Sequence, residues 1–120
     1  MAYHKLFSEI PSYSDPGSQN QLCRDILPRG IMPGVVIGYD IIEGPGRNGL
    51  NAHPTWHQAF VVLAGRGTLI RGDERLPIEA PCVVDIPPQT NHDVLVAEGE
   101  RIEYVYVTRM LEDDNEPARH

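Results

Sequence analysis

Six short runs of β-branched and apolar residues, separated by turn signals, leave this chain little choice of architecture. They lie at residues 35–42, 60–63, 68–71, 82–86, 93–96 and 102–108. Four of the gaps are filled by Gly65-Arg66-Gly67, Gly72-Asp73-Glu74, Pro87-Pro88-Gln89 and Glu98-Gly99-Glu100. No stretch carries the 3.6-residue periodicity of an amphipathic helix. Short strands with a turn signal every ~8–12 residues predict an all-β sandwich or barrel.

The rest of the chain frames that barrel. Through residue 22, Pro11, Pro16 and Gly17 stand among Ser, Asp and Asn, which predicts an irregular arm laid across a partner. Residues 1–34 are thus read as an arm and first edge strand, residues 35–110 as the barrel, and residues 111–120, charged and poor in apolar side chains, as a disordered tail. At 120 residues there is room for one core and one domain, and oligomerisation would help to stabilise it.

Charge and cysteine usage narrow the partners. The formal charge is −7 and the ten basic residues are scattered, so clustered cations to meet nucleic acid or an anionic membrane are missing. The start, Met1-Ala-Tyr-His-Lys, lacks a signal-peptide pattern, and no apolar run approaches the ~20 residues that span a bilayer. A cytoplasmic protein is the reading that follows. Cys23 and Cys82 are far apart, with no Cys-x-x-Cys pair, so neither a disulfide framework nor a thiolate metal site is indicated. Cys82, inside Cys-Val-Val-Asp-Ile, reads as a buried strand thiol.

Alternation along the strands adds a partner of another kind. Gln58, Phe60 and Val62 share one face, while Ala59, Val61 and Leu63 share the other. Both faces are apolar enough to want cover, and residues 102–108 have the same character. A homodimer is the expectation.

Two polar clusters stand at the mouths of strands. One holds His53, His57 and Gln58 ahead of the run that stops at Gly65 and Gly67; the other delivers His92 after the Pro87-Pro88 turn. His57 directly precedes Gln58, so in an extended strand it points the opposite way, and only a bulge over residues 55–57 would turn it inward. Asn51 reads either as a turn residue after Gly49 or as a lumenal group. There is no Gly-x-Ser-x-Gly, no phosphate-binding Gly-rich loop and no Cys–His nucleophile pattern.

The order polar-x-His, an amide five positions on, Gly-x-Gly after six more, and Ile-Pro-Pro-x-x-x-His about twenty residues later resembles the cupin superfamily over residues 35–108. The resemblance implies a double-stranded β-helix, the jelly-roll barrel, with a divalent metal held in its lumen by three His and one Glu. Here Asn51 stands at the first His, His53 at the second, Gln58 at the Glu and His92 at the last. The implied metal ligands are therefore His53, Gln58 and His92, with His57 or Asn51 to complete them, and the metal is Mn, Fe, Ni or Zn. Asn51, Trp56 and Phe60 would line a ligand pocket, and Glu103, Tyr104 and Tyr106 are candidate acid–base groups. The implied function is that of a small metal-dependent enzyme of isomerase, lyase or cyclase, or dioxygenase type, acting on a small anionic or carbohydrate-like molecule. The alternative is a non-catalytic small-molecule-binding cupin with a degenerate metal site.

Overall fold

The structure, a computed structural model, describes residues 2–111. The tail predicted to be disordered therefore lies, past Leu111, outside the described residues. Seven strands follow one another: β1 (Gln19–Met32), β2 (Val35–Arg47), β3 (Trp56–Arg71), β4 (Glu74–Glu79), β5 (Cys82–Ile86), β6 (His92–Val96) and β7 (Arg101–Met110). Among the described residues the sole helical element is a 3-10 turn at Phe7–Glu9, and no helix is long and apolar enough to cross a membrane.

Two long strands close the barrel because each serves two sheets. β2 pairs with β1 and β7 over most of its length and with β6 at Gly46 and Arg47. β3 pairs with β7 and β5 through its first half and with β4 and β6 through its second. The ring β2–β7–β3–β6 returns to β2, and every pairing in it is antiparallel. This is an all-β barrel, as the turn spacing predicts, and the jelly roll that the resemblance implies.

Three local expectations are corrected. Residues 60–63 and 68–71 are one bent strand rather than two, because Gly65, at φ 75, turns the corner where the pairing changes sheets. A Cβ there would overlap the Arg101 carbonyl oxygen, so glycine is needed for contact as well as for φ. The charged segment Glu74–Glu79 is a strand too; it pairs only with β3, and as an edge it accommodates Pro77. Finally, residues 19–22, expected to be irregular, already belong to β1.

The N-terminal arm folds onto its own sheet. Tyr13 and Cys23 exchange two backbone hydrogen bonds, of 3.0 and 2.7 Å. Phe7 stands edge-on to Tyr39 at 5.0 Å, and the Arg24 guanidinium lies over the Phe7 ring at 4.8 Å while donating to the Phe7 and Ile10 carbonyls. Cys23 is fully buried, whereas Cys82, read from its local sequence as a buried strand thiol, is only partly so.

Inside the barrel, alternation decides what the lumen contains. Trp56, Gln58, Phe60 and Val62 of β3, Ile102, Tyr104, Tyr106 and Thr108 of β7, and Val36, Gly38, Asp40 and Ile42 of β2 all point inward. Ile42, Val62, Leu69, Ile78, Val96 and Ile102 form an aliphatic plug at one end. Gln58 and Thr108 face each other towards the other end, while Asp40 lies opposite Tyr104, next to the plug.

Candidate functional site in the barrel lumen

The loop between β2 and β3 carries His53, and three backbone ties set its position. Asn51 and His92 exchange backbone hydrogen bonds of 3.0 and 2.8 Å, the Gln89 N–H donates to the His53 carbonyl at 2.8 Å, and Leu111 donates to the Thr55 carbonyl at 2.8 Å. Gln89 makes its bond from a left-handed conformation, φ 61, which closes the turn that Pro87 and Pro88 begin. The turn ahead of His92 thus holds the loop that bears His53. Their rings meet at 6.2 Å between centroids, and the His53 ring stacks on buried Trp56 at 4.1 Å.

An ion pair braces the same corner from behind. Arg47 pairs with Asp93, a carboxylate buried next to His92 in β6, and Asp93 also accepts the Gly49 N–H at 2.9 Å. Sequence reading missed both residues. Their separation, from the end of one strand to the start of another, gives no local signal.

Gln58 is the third inward polar group. Its amide nitrogen donates to Thr108 Oγ1 at 2.9 Å, while its carbonyl oxygen is buried and takes part in no hydrogen bond. Thr108, also missed, follows Tyr106 by two on the inward face of β7. Next along β3 comes Phe60, whose ring is 6.0 Å from His92, 4.9 Å from Tyr104 and 6.5 Å from Tyr106. Both phenols are buried and hold their protons well above the ordinary value, mainly through burial and then through the nearby Asp40 carboxylate. They are hydrogen-bonding groups at neutral pH and do not ionise there.

The remaining candidates lie elsewhere. His57 is exposed on the outer face, with Nε2 2.8 Å from Asp85 Oδ2, because β3 runs through residues 56–58 without the bulge that would turn it inward. Glu103 is outward as well, accepting from the Tyr39 hydroxyl and pairing with Arg101, so it is no lumenal base. Asn51 turns its amide back to the Gly49 carbonyl at 2.8 Å, the turn role that its position allows. A surface groove of about 490 Å³ lined by Ser14, Asp15, Asn20, Leu22, Ile41 and Glu43 shares no residue with the histidine site.

Fit to a metal can be judged on the donors. Among the described residues no three of His, Cys, Asp and Glu converge, so a third ligand has to be the amide. Gln58 presents a carbonyl oxygen that lacks a hydrogen bond. His92 Nδ1 lies 3.3 Å from the Thr90 carbonyl, an acceptor only, which assigns the proton to Nδ1 and the lone pair to Nε2. Two imidazoles and one carboxamide fit a divalent transition ion of borderline softness.

A family model described as a cupin domain matches residues 40–108. No curated protein matches the chain significantly. Among solved structures, a cupin-2 domain protein from Rhodospirillum rubrum is 13% identical, with 99% of this chain and 82% of that one covered and a TM-score of 0.79. A predicted oxalate decarboxylase from Thermotoga maritima is 17% identical, with 85% and 92% covered and a TM-score of 0.77. The polyketide cyclase RemF from Streptomyces resistomycificus is 16% identical, with 98% and 90% covered and a TM-score of 0.77. At such identities the structures share the fold, and the family model spans more than half of the chain. The protein is a cupin.

Proposed function

We propose that this cupin is a small metal-dependent enzyme in which His53, Gln58 and His92 hold one divalent transition ion, Mn, Fe, Ni or Zn, and the lumen takes a small, oxygen-rich, anionic molecule. The observation that carries the reading is Gln58: its amide nitrogen is engaged by Thr108 and its buried carbonyl oxygen has no hydrogen bond. A buried acceptor left in this way costs about 1–3 kcal/mol unless something occupies it. A metal in such a site supplies Lewis-acid polarisation of a carbonyl or enolate. All three protein donors are neutral, so the full charge of the ion remains to attract an anion. Trp56, Phe60, Tyr104 and Tyr106 give the lumen aromatic walls, and the two phenols hydrogen-bond a ligand's oxygens. Isomerase, lyase or cyclase, and dioxygenase chemistry all suit that description. Two structural neighbours bear the names of enzymes, a predicted oxalate decarboxylase and a polyketide cyclase, and these are the classes to screen first. The acidic composition and the two free cysteines suit a cytoplasmic protein.

One observation favours a second reading, that of a binding cupin without catalysis. Asn51 stands where the family has its first His and is turned away on Gly49, which leaves three donors. Elemental analysis of protein purified without a histidine tag separates the two. About one equivalent of metal, lost in His53→Ala and His92→Ala and retained in His57→Ala, is expected. Failure to take up Mn, Fe, Ni or Zn when each is added would leave the binding reading.

A further inference from the structure

The three groups that the lumen offers to a metal are oriented by different means. Gln58 is held by Thr108 Oγ1, and the Nδ1 edge of His92 faces the Thr90 carbonyl. His53 belongs to no strand and stands in the loop between β2 and β3. Its backbone is constrained twice. Pro54 confines the residue before it to extended conformations, and the His53 carbonyl accepts the Gln89 N–H at 2.8 Å. Neither tie sets the plane of the imidazole, which turns about the side-chain bonds beyond Cα. The Trp56 indole does so: the two ring centroids are 4.1 Å apart and the planes differ by 21°.

Trp56 is itself firmly placed. It is fully buried at the start of β3, lies opposite Met110 of β7 and opens the inward row that continues with Gln58 and Phe60. A leucine would fill the same corner and leave the imidazole free to turn, whereas a flat indole favours a stacked ring. Stacking also leaves the chemistry of His53 open. The lone pair of an imidazole nitrogen lies in the plane of the ring, so a neighbour on the face fixes the direction of that lone pair and occupies neither nitrogen.

We propose that Trp56 is the positioning residue of the metal centre: it sets the plane in which His53 presents a nitrogen to the ion, without itself binding the ion. The role rests on the metal-site reading above; the stack does not. Trp56 is also the only tryptophan in the chain, so fluorescence from this corner has a single source.

The test starts on metal-free protein with the histidine rings labelled with carbon-13, the His53 signals being assigned by His53→Ala. In the unmutated protein the His53 ring protons should lie upfield of those of exposed His57, displaced by the indole ring current, and should return to the His57 range in Trp56→Leu. Ni²⁺ is then titrated by calorimetry and followed by Trp56 fluorescence. The affinity that disappears in His53→Ala should fall about tenfold in Trp56→Leu, the low end of what a residue behind a metal ligand contributes. In Trp56→Phe, whose ring still offers a flat face, it should fall by no more than about threefold. A merely structural role would lower the urea midpoint and leave the Ni²⁺ affinity of the folded protein unchanged. Tight binding indifferent to Trp56→Leu would thus overturn the proposal alone, as would His53 ring protons at ordinary positions in the unmutated protein. No uptake of Ni²⁺ by the unmutated protein would overturn the metal-site reading and the proposal with it. If Trp56→Leu fails to fold, the unmutated protein decides: displaced ring protons, with Ni²⁺ quenching of Trp56 that disappears in His53→Ala, support the proposal, and undisplaced ones overturn it.

Discussion

At the scale of single residues, Gln58, Tyr104 and Tyr106 are lumenal groups that stay neutral. Gln58 replaces a carboxylate with an amide, and Tyr104 and Tyr106 keep their protons because burial, aided by Asp40, raises them above the ordinary phenol value of 10.0. An unfolded chain releases both protons near that value and the folded chain does not. Stability is therefore complete below about pH 10 and falls as pH rises beyond it, by up to ~1.4 kcal/mol per pH unit for each phenol. Urea unfolding near pH 8 and near pH 11 should show a smaller loss for Tyr104→Phe than for the unmutated chain; equal losses would mean that this phenol ionises freely in the folded state. His92 is buried against Phe60, and we expect His92→Ala to cost about 2 kcal/mol in the same assay while the barrel still forms. Unfolding of that variant would make the residue structural.

At the scale of elements, the closest fit is in β2 and β7. Gly38 lies opposite Tyr106, and adding a single methyl there forces the phenol ring aside. Gly38→Ala should lose about 3 kcal/mol of stability, the cost of overpacking a filled core. Combined with Tyr106→Ala, it should lose less than the sum of the two single changes. Strict additivity in the urea midpoints would contradict the contact. These strands also explain what the sequence could and could not tell. His53, Gln58, Phe60 and His92 are legible because motif spacing and the period of two agree. Asp40 was not, because hydrophobic alternation in β2 favours the opposite face as the buried one. Parity already points His57 outward unless a bulge intervenes, and none does, while Glu103, open between solvent and lumen on residue type, is sent outside by the same alternation. Gly65-Arg66-Gly67 read as a turn because nothing local distinguishes a turn from a strand that bends between two sheets.

At the scale of the whole molecule, β3 and β5 leave apolar side chains on the outer surface. Val61 is flanked in register by Val83 on β5 and Val105 on β7. Val61, Leu63 and Val83 are exposed to 37%, 54% and 66%. The N-terminal arm covers the neighbouring part of this surface at Tyr39 and stops short of them. We expect a second copy of the chain to pack here, and sedimentation should give a dimer that Val61→Lys with Val83→Lys converts to monomer. A monomer before mutation would remove that expectation. The central claim concerns the lumen, and the most direct measurement is anomalous diffraction at the absorption edge of the metal found in the purified protein. The account predicts a single strong peak bounded by His53 Nε2, Gln58 Oε1 and His92 Nε2. A peak at the exposed His57 and Asp85 pair, or none within the barrel, would contradict it.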